Sequence, residues 1–205
     1  MARGRVLSQA FYARDPATVA RDLLGRVVEA ASPDGLVAVR LVETEAYAGE
    51  DDPASHAWRG PTPRSLVMYG PPGRSYVYFS YGMHWALNLV CGERGAAAAV
   101  LLRAGEVVAG ADVARARRRP GTSDARLASG PANLAASLGL GGTWNDLDVT
   151  AARGQLRLRA GSPVGDGDVL VGPRVGISRA VDVPWRFTVS GDSRVSSPRL
   201  RRPPA

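Results

Sequence analysis

Apolar and polar residues alternate with a period of two over much of the chain, which predicts more strands than helices. Residues 26–31 and 36–47 (LVAVRLVETEAY) are predicted as successive strands, and the sequence SPDG between them predicts a tight turn. Two more strands are expected on either side of Gly82, as a hairpin over residues 76–90. The remaining predicted strands are 96–105, 155–160, 168–178 and 186–191.

Helical patterns with matching end signals occur in three segments. In residues 15–25 (DPATVARDLLG), Asp15 can cap the amino terminus, Pro16 suits the first turn and Gly25 suits the exit. The other two predicted helices are residues 107–119 and 129–141.

The chain shows no internal repeat and no clear linker, so we expect one mixed domain over residues 1–205 with strands that often pair antiparallel. Its ordered core is predicted to cover about residues 7–191, and the tail that follows to be mobile. Residues 48–75 are rich in proline, glycine and charge. A loop of this length inside a compact domain usually serves function.

Composition excludes several classes of protein. A single cysteine, Cys91, rules out an intrachain disulfide, and the two histidines, His56 and His84, argue against a His/Cys zinc cluster. No apolar run approaches the roughly 20 residues of a membrane span, and no signal peptide is recognised, so we expect a cytoplasmic protein without membrane contact. We expect neither a metal nor a cofactor.

Charge points to an anionic partner. The net charge is +7, and all 26 basic side chains are arginine. A GC-biased genome explains arginine over lysine, but it explains the surplus over acidic residues poorly, so nucleic acid is the first candidate. The absence of lysine leaves only the α-amino group for Schiff-base chemistry.

Two carboxylates stand close together in the ETEAY sequence. A regular strand would place Leu41, Glu43, Glu45 and Tyr47 on one face. A carboxylate in a pocket can act as a general base on water, and the loop after the strand delivers His56. Alternatively, both glutamates pair with arginines on an exposed face. The pattern alone does not choose between Glu43 and Glu45.

The predicted hairpin carries an unusual cluster of aromatic residues, five within residues 76–85. Tyr76, Tyr78 and Ser80 share one face of its first strand, whereas Tyr81 lies at the tip before Gly82. An aromatic wedge on a turn suits insertion between stacked bases. The alternative is a strand with two buried faces. Further polar candidates near these segments are Arg59, Thr62, Arg64, Asn88 and Arg103.

Three ordered blocks, residues 42–64, 68–90 and 99–106, together resemble the alkyladenine (3-methyladenine) DNA glycosylases. The similarity runs from about residue 7 to residue 191. It implies an α+β fold: a single mixed domain with a curved, largely antiparallel sheet, surrounding helices and a protruding β-hairpin. It also implies a monomer that binds the minor groove of double-stranded DNA at a damaged purine. In a bacterium the enzyme would associate with the nucleoid.

The resemblance assigns the catalytic base to Glu45, and the positioning of the attacking water to Arg103. By position, Tyr47, His56 and Tyr78 match residues that hold the flipped base.

By the same resemblance, Asn88 matches a residue that screens purines, and Tyr81 matches the intercalating residue. Phosphate contacts are expected from Arg59, Thr62 and Arg64. The implied enzyme is a monofunctional glycosylase that releases 3-methyladenine, 7-methylguanine, hypoxanthine or ethenoadenine.

Two alternatives keep part of this pattern without the chemistry. A non-catalytic minor-groove module would use Tyr81 and the arginines but give Glu45 no role. An RNA-binding domain of related fold, such as the C-terminal domain of methionyl-tRNA formyltransferase, would not need the ETEAY carboxylate together with the pocket tyrosines.

Overall fold

The computed structural model describes residues 4–80 and 82–200. Within these ranges the chain forms an antiparallel sheet flanked by short helices, which confirms the α+β fold. The helices are α1 (Gln9–Tyr12), α2 (Pro16–Asp22), α3 (Ala111–Ala116) and α4 (Pro131–Leu138). The strands are β1 (Val27–Ser32), β2 (Gly35–Ala48), β3 (Ser75–Ser80), β4 (His84–Cys91), β5 (Ala98–Ala109), β6 (Leu156–Arg159), β7 (Val169–Gly172) and β8 (Arg186–Val189).

The sheet branches at β2, its longest described strand. The main strand order is β3-β4-β5-β2-β1-β6, and β8 also pairs with β2 and carries β7 on its other side. The first half of β2 pairs with β1, whereas Glu43–Glu45 pair with β8. Since β5 follows the opposite edge of β2 for most of its length, Glu43–Glu45 are flanked by a strand on each side.

The largest apolar core lies between the sheet and the helices. Helix α2 packs against β2, and α4 packs against β4 and β5. Asp15 caps α2 by accepting a hydrogen bond from the backbone N–H of Thr18, as its sequence predicts. The helices contribute Val19 and Leu134 to this core. The core side of the sheet contributes Val77, Leu87, Leu89, Val100 and Leu102.

A β-bulge changes the predicted facing of β2. The β2–β5 register shifts between Leu41 and Glu43, so the alternation restarts there. Leu41 joins the main core, whereas Val42 packs in a separate cluster with Ala104 and Val195. The prediction that Leu41 shares a face with Glu43 is therefore wrong. The bulge places Glu43 and Glu45 on the face away from the main core.

Two element predictions were too long. Residues 107–109 belong to β5 rather than to a helix, and α3 begins only after Gly110, whose φ of 71° ends the strand. The strand predicted over 168–178 stops at Gly172. Beyond it, the backbone N–H of Val175 donates to the Glu45 side chain instead of to a neighbouring strand.

Packed structure continues past residue 191, the predicted end of the ordered core. Val195 and Ser196 are buried, and Leu200 lies against Gly172. No helix within 4–80 and 82–200 combines the length and apolarity that a membrane crossing requires.

Candidate active site

A cavity of about 470 Å³ opens on the face of the sheet opposite the main core. Alternate residues of the strands line the cavity, and the residues between them point into the main core, as the period of two in a strand requires. Its size falls in the range of small-molecule sites. The sheet residues that line the cavity are Tyr47, Tyr76, Tyr78, Ser80, Asn88, Ala99, Leu101 and Arg103.

One wall is a cluster of aromatic rings. The centroids of His56 and Tyr78 lie 4.6 Å apart with the rings nearly perpendicular, and Tyr76 lies 5.2 Å from Tyr78. The Nδ1 atom of His56 is 2.8 Å from the Tyr76 hydroxyl. Asn88 donates from Nδ2 to the backbone oxygen of Tyr76 at 3.1 Å, which fixes its amide on this wall.

The imidazole of His56 is neutral at physiological pH. The ring is open to the cavity, but protein surrounds its other sides and desolvates the charged form. This burial and, second, the positive charge of Arg64 lower the pKa of His56 from 6.5 to about 4. A neutral ring has one N–H donor and one acceptor. Because Nδ1 is paired with the Tyr76 hydroxyl, Nε2 is the ring nitrogen that remains for a ligand. Burial also raises the pKa of Tyr76 to about 12.

Glu45 lies directly behind the cavity wall. Its side chain is fully buried, and it accepts hydrogen bonds from the Tyr47 hydroxyl at 3.0 Å and from Arg103 at 3.1 Å. Both of these residues line the cavity. The N–H of Val175 donates to the other carboxylate oxygen at 2.8 Å. Only the side chains of Tyr47 and Arg103 therefore separate the Glu45 carboxylate from a molecule in the cavity.

Opposing influences act on the ionisation of Glu45. Burial raises the pKa of its carboxyl group. Arg103, the N–H of Val175 and the Tyr47 hydroxyl oppose this, while the negative charge of Glu43 adds to it. The net pKa is raised, which makes Glu45 a stronger base than a free glutamate once it is ionised. Burial, followed by Glu45, raises the pKa of Tyr47, whose hydroxyl therefore stays protonated.

The three predicted phosphate contacts occupy different places. Arg64 lines the cavity, with its guanidinium 4.6 Å from the centre of the Tyr78 ring. Arg59 and Thr62 are exposed and do not line the cavity. Arg59 lies over the Trp58 ring, and Thr62 is hydrogen-bonded to Ser65.

Tyr81, the predicted intercalating residue, lies outside the described residues. Its neighbours Gly82, Met83 and His84 are exposed.

The comparison with known families matches residues 10–193 to the methylpurine-DNA glycosylase (MPG) model. The chain belongs to the methylpurine-DNA glycosylase family. It is therefore a DNA glycosylase, a DNA repair hydrolase of N-glycosyl bonds whose substrate is DNA.

Similar proteins cover nearly the whole chain. A protein from Streptomyces avermitilis is 49% identical over 199 residues, which are 96% of this chain and 93% of the relative. One from Frankia casuarinae is 50% identical over 203 residues, which are 95% and 93% of the two chains. One from Burkholderia lata is 45% identical over 199 residues, which are 97% and 95%. All three carry the name "Putative 3-methyladenine DNA glycosylase".

Several residues of the site in this glycosylase carry no clear signal in the sequence. Tyr76 was placed on the right face but was given no role, although it lines the cavity and bonds His56. Arg174 stacks over the Tyr47 ring at 4.7 Å and is held by Asp52 in a fully buried pair. Val175 contributes through its backbone N–H, which leaves no side-chain pattern to recognise.

Proposed function

We propose that this glycosylase removes 3-methyladenine, 7-methylguanine, hypoxanthine and ethenoadenine from duplex DNA as a monofunctional enzyme that starts base excision repair. One observation carries the proposal: an aromatic cavity large enough for a base lies directly against the Glu45–Arg103 pair. Since no base in a duplex can reach such a cavity, the damaged nucleotide has to flip out of the stack, which costs a few kcal/mol.

The flipped purine would lie between Tyr47 and Tyr78, with His56 at its edge. Methylation at purine N3 or N7 makes the base cationic, and a cation on a tyrosine face gains about 0.5–2 kcal/mol. The same positive charge weakens the bond to C1′, because the base then leaves as a neutral molecule. Neutral lesions require protonation of the ring before they leave.

Glu45 would take a proton from a water molecule directed at C1′. Because Glu45 is fully buried, this water has to enter between Tyr47 and Arg103, the two cavity-lining side chains bonded to it. The carboxylate charge also stabilises the positive charge that develops on the sugar. With water as nucleophile, the products are a free base and an intact abasic strand. The lack of lysine agrees with this monofunctional reaction.

Asn88 would exclude normal guanine. Its amide is fixed by the bond to Tyr76, so it cannot easily move away from an exocyclic 2-amino group. A polar group left unpaired in the pocket adds about 1–3 kcal/mol to the penalty.

We further propose that Tyr81 fills the space vacated by the flipped base, from the minor-groove side, and that Arg59, Thr62 and Arg64 hold phosphates. The enzyme would act as a monomer in the cytoplasm, and in a bacterium it would associate with the nucleoid.

Replacing Glu45 with glutamine tests the catalytic assignment. We expect Glu45→Gln to slow base release from a methylated duplex by about 10²- to 10⁴-fold, because it removes the general base. Binding to the duplex should persist. The measurement is single-turnover base release, with binding followed by fluorescence anisotropy.

Glu93→Gln is the matched control, since Glu93 is exposed on the turn between β4 and β5. Equal base release by wild type and Glu45→Gln would disprove the role of Glu45. Binding without release by the wild type would favour the non-catalytic module. A preference for tRNA over damaged duplex would favour the RNA-binding alternative.

A further inference from the structure

A second carboxylate, Glu43, is buried beside Glu45 on the same face of β2. Its side chain is fully buried and makes four hydrogen bonds. Arg103 and Arg186 each donate from Nε at 2.8 Å. The Ser196 N–H donates at 2.7 Å and the Ser196 hydroxyl at 2.9 Å. Four donors on one carboxylate make a fixed anchor, because Oε1 accepts three of the hydrogen bonds and Oε2 accepts the fourth, from the Ser196 N–H.

Arg103 is held between the two glutamates. Its Nε donates to Glu43 and its Nη1 donates to Glu45, while its Nη2 lies 3.4 Å from the Ser196 hydroxyl. All three nitrogen atoms of the guanidinium therefore have a partner. A planar group fixed at three points cannot rotate, so Glu43 determines the direction from which Arg103 approaches Glu45 and the cavity.

The buried charges in this cluster balance. Glu43 and Glu45 supply two negative charges, and Arg103 and Arg186 supply two positive charges. The nearby Arg174 forms its own pair with Asp52. The Tyr47 hydroxyl remains protonated and contributes no charge. Loss of one carboxylate would leave a positive surplus next to Glu45, and this surplus would favour its ionised form.

We propose that Glu43 is a positioning residue of the glycosylase reaction: together with Ser196 and Arg186, it holds Arg103 against Glu45. This inference rests on the role proposed above for Glu45. Glu43 does not line the cavity, so it acts through Arg103 and through its charge.

The pH dependence of base release separates this role from a structural one. Glu45 works in its ionised form, so the rate falls as the pH falls through its pKa. The charge of Glu43 raises the pKa of Glu45, and the Tyr47 hydroxyl lowers it. Glu43→Gln should therefore move the acid limb of the profile to lower pH, whereas Tyr47→Phe should move it to higher pH.

The experiment measures single-turnover release of 7-methylguanine from a duplex at several pH values, for the wild type, Glu43→Gln and Tyr47→Phe. We expect Glu43→Gln to lower the plateau rate by about 10- to 100-fold, as small displacements of catalytic groups do. An acid limb identical to that of the wild type in folded Glu43→Gln would overturn the inference. If the wild type releases no purine, the proposed function itself fails instead.

A second pair of variants decides the matter if Glu43→Gln does not fold. Ser196→Ala removes only the hydroxyl between Glu43 and Arg103, and Ser196→Thr retains a hydroxyl. We expect Ser196→Ala to slow release by about 2- to 10-fold, the range of one hydrogen bond. Ser196→Thr should restore the rate. An unchanged rate in Ser196→Ala would overturn the inference.

Discussion

Arg64 places a positive charge inside the cavity, against the Tyr78 ring that we propose as a seat for the base. A cationic purine and this guanidinium would compete for the same ring face. If the Arg64 guanidinium moved from the Tyr78 ring to a DNA phosphate, the competition would end. This movement would reconcile the position of Arg64 in the cavity with its predicted phosphate contact. In the free protein its charge acts on His56.

Replacing Arg64 should change the titration of His56. Arg64→Gln removes the smaller of the two causes that lower the pKa of His56, so we expect this pKa to rise above about 4 but to stay below 6.5, because burial remains. An NMR titration in a His84→Gln background would leave His56 as the only histidine. Arg59→Gln is the control, and it should leave the His56 titration unchanged; a shift of equal size there would contradict the assignment.

The two glutamates show what the sequence could decide at the level of residues. Their shared face was predicted correctly, but the sequence pattern treated them as equivalent. Their surroundings differ because Arg186 and Ser196, which are 143 and 153 residues away from Glu43 along the chain, bond to Glu43 but not to Glu45. Contacts between such distant segments depend on tertiary packing, and a local sequence pattern does not predict them.

At the level of elements, the bulge in β2 requires a close approach by β5. A Cβ atom on Gly105 would lie 2.5 Å from the backbone oxygen of Arg40, so glycine is the residue that fits. Gly105 pairs with Leu41 next to the register shift.

Gly105→Ala should therefore destabilise the fold by about 1–3 kcal/mol, since the strands must separate to accommodate the methyl group. Urea unfolding measures this change. Gly165→Ala is the matched control, because a Cβ atom there meets nothing within 4 Å and the backbone φ is −65°. A loss of stability in the control as large as in Gly105→Ala would refute the steric explanation.

Strands and helices with a clear period were predictable, and the exceptions have local causes. The α2 helix was placed correctly because Asp15 and Pro16 mark its start. The predicted sheet face of Leu41 is wrong because a bulge adds a residue to the strand without changing the apolar pattern of the sequence. The strand after Gly172 was overextended because Val175 is apolar, although its N–H is committed to a side chain.

For the whole molecule, the distribution of charge matters more than the total of +7. Many arginines are neutralised by carboxylates, such as Arg103, Arg174 and Arg186 in the interior. Among the described residues, Arg59 and Arg179 have no carboxylate within salt-bridge distance, and both guanidinium groups lie on the Trp58 ring, at 5.4 and 4.4 Å. Such exposed groups are available to a phosphate backbone.

DNA binding should weaken as the salt concentration rises. The slope of log K against the logarithm of the salt concentration should be about −0.9 for each neutralised phosphate. We expect Arg59→Gln to reduce this slope by about one. Arg153→Gln is the control, because Arg153 is also exposed but lies on the turn before β6, at the opposite edge of the sheet. Fluorescence anisotropy at several salt concentrations gives the slopes. Affinity that does not change between low and moderate salt would contradict phosphate contacts altogether.

The contacts of Glu43 and Glu45 also impose an order on biosynthesis. Strand β2 leaves the ribosome early, but the backbone N–H groups of Val175 and Ser196 follow 130 and 153 residues after the carboxylates they complete. A polypeptide that ends before residue 175 thus contains both acids and Arg103 but lacks these two backbone donors. With Glu45 as the proposed base, we expect base release to require these late segments, so that truncated translation products would release no base from the chromosome.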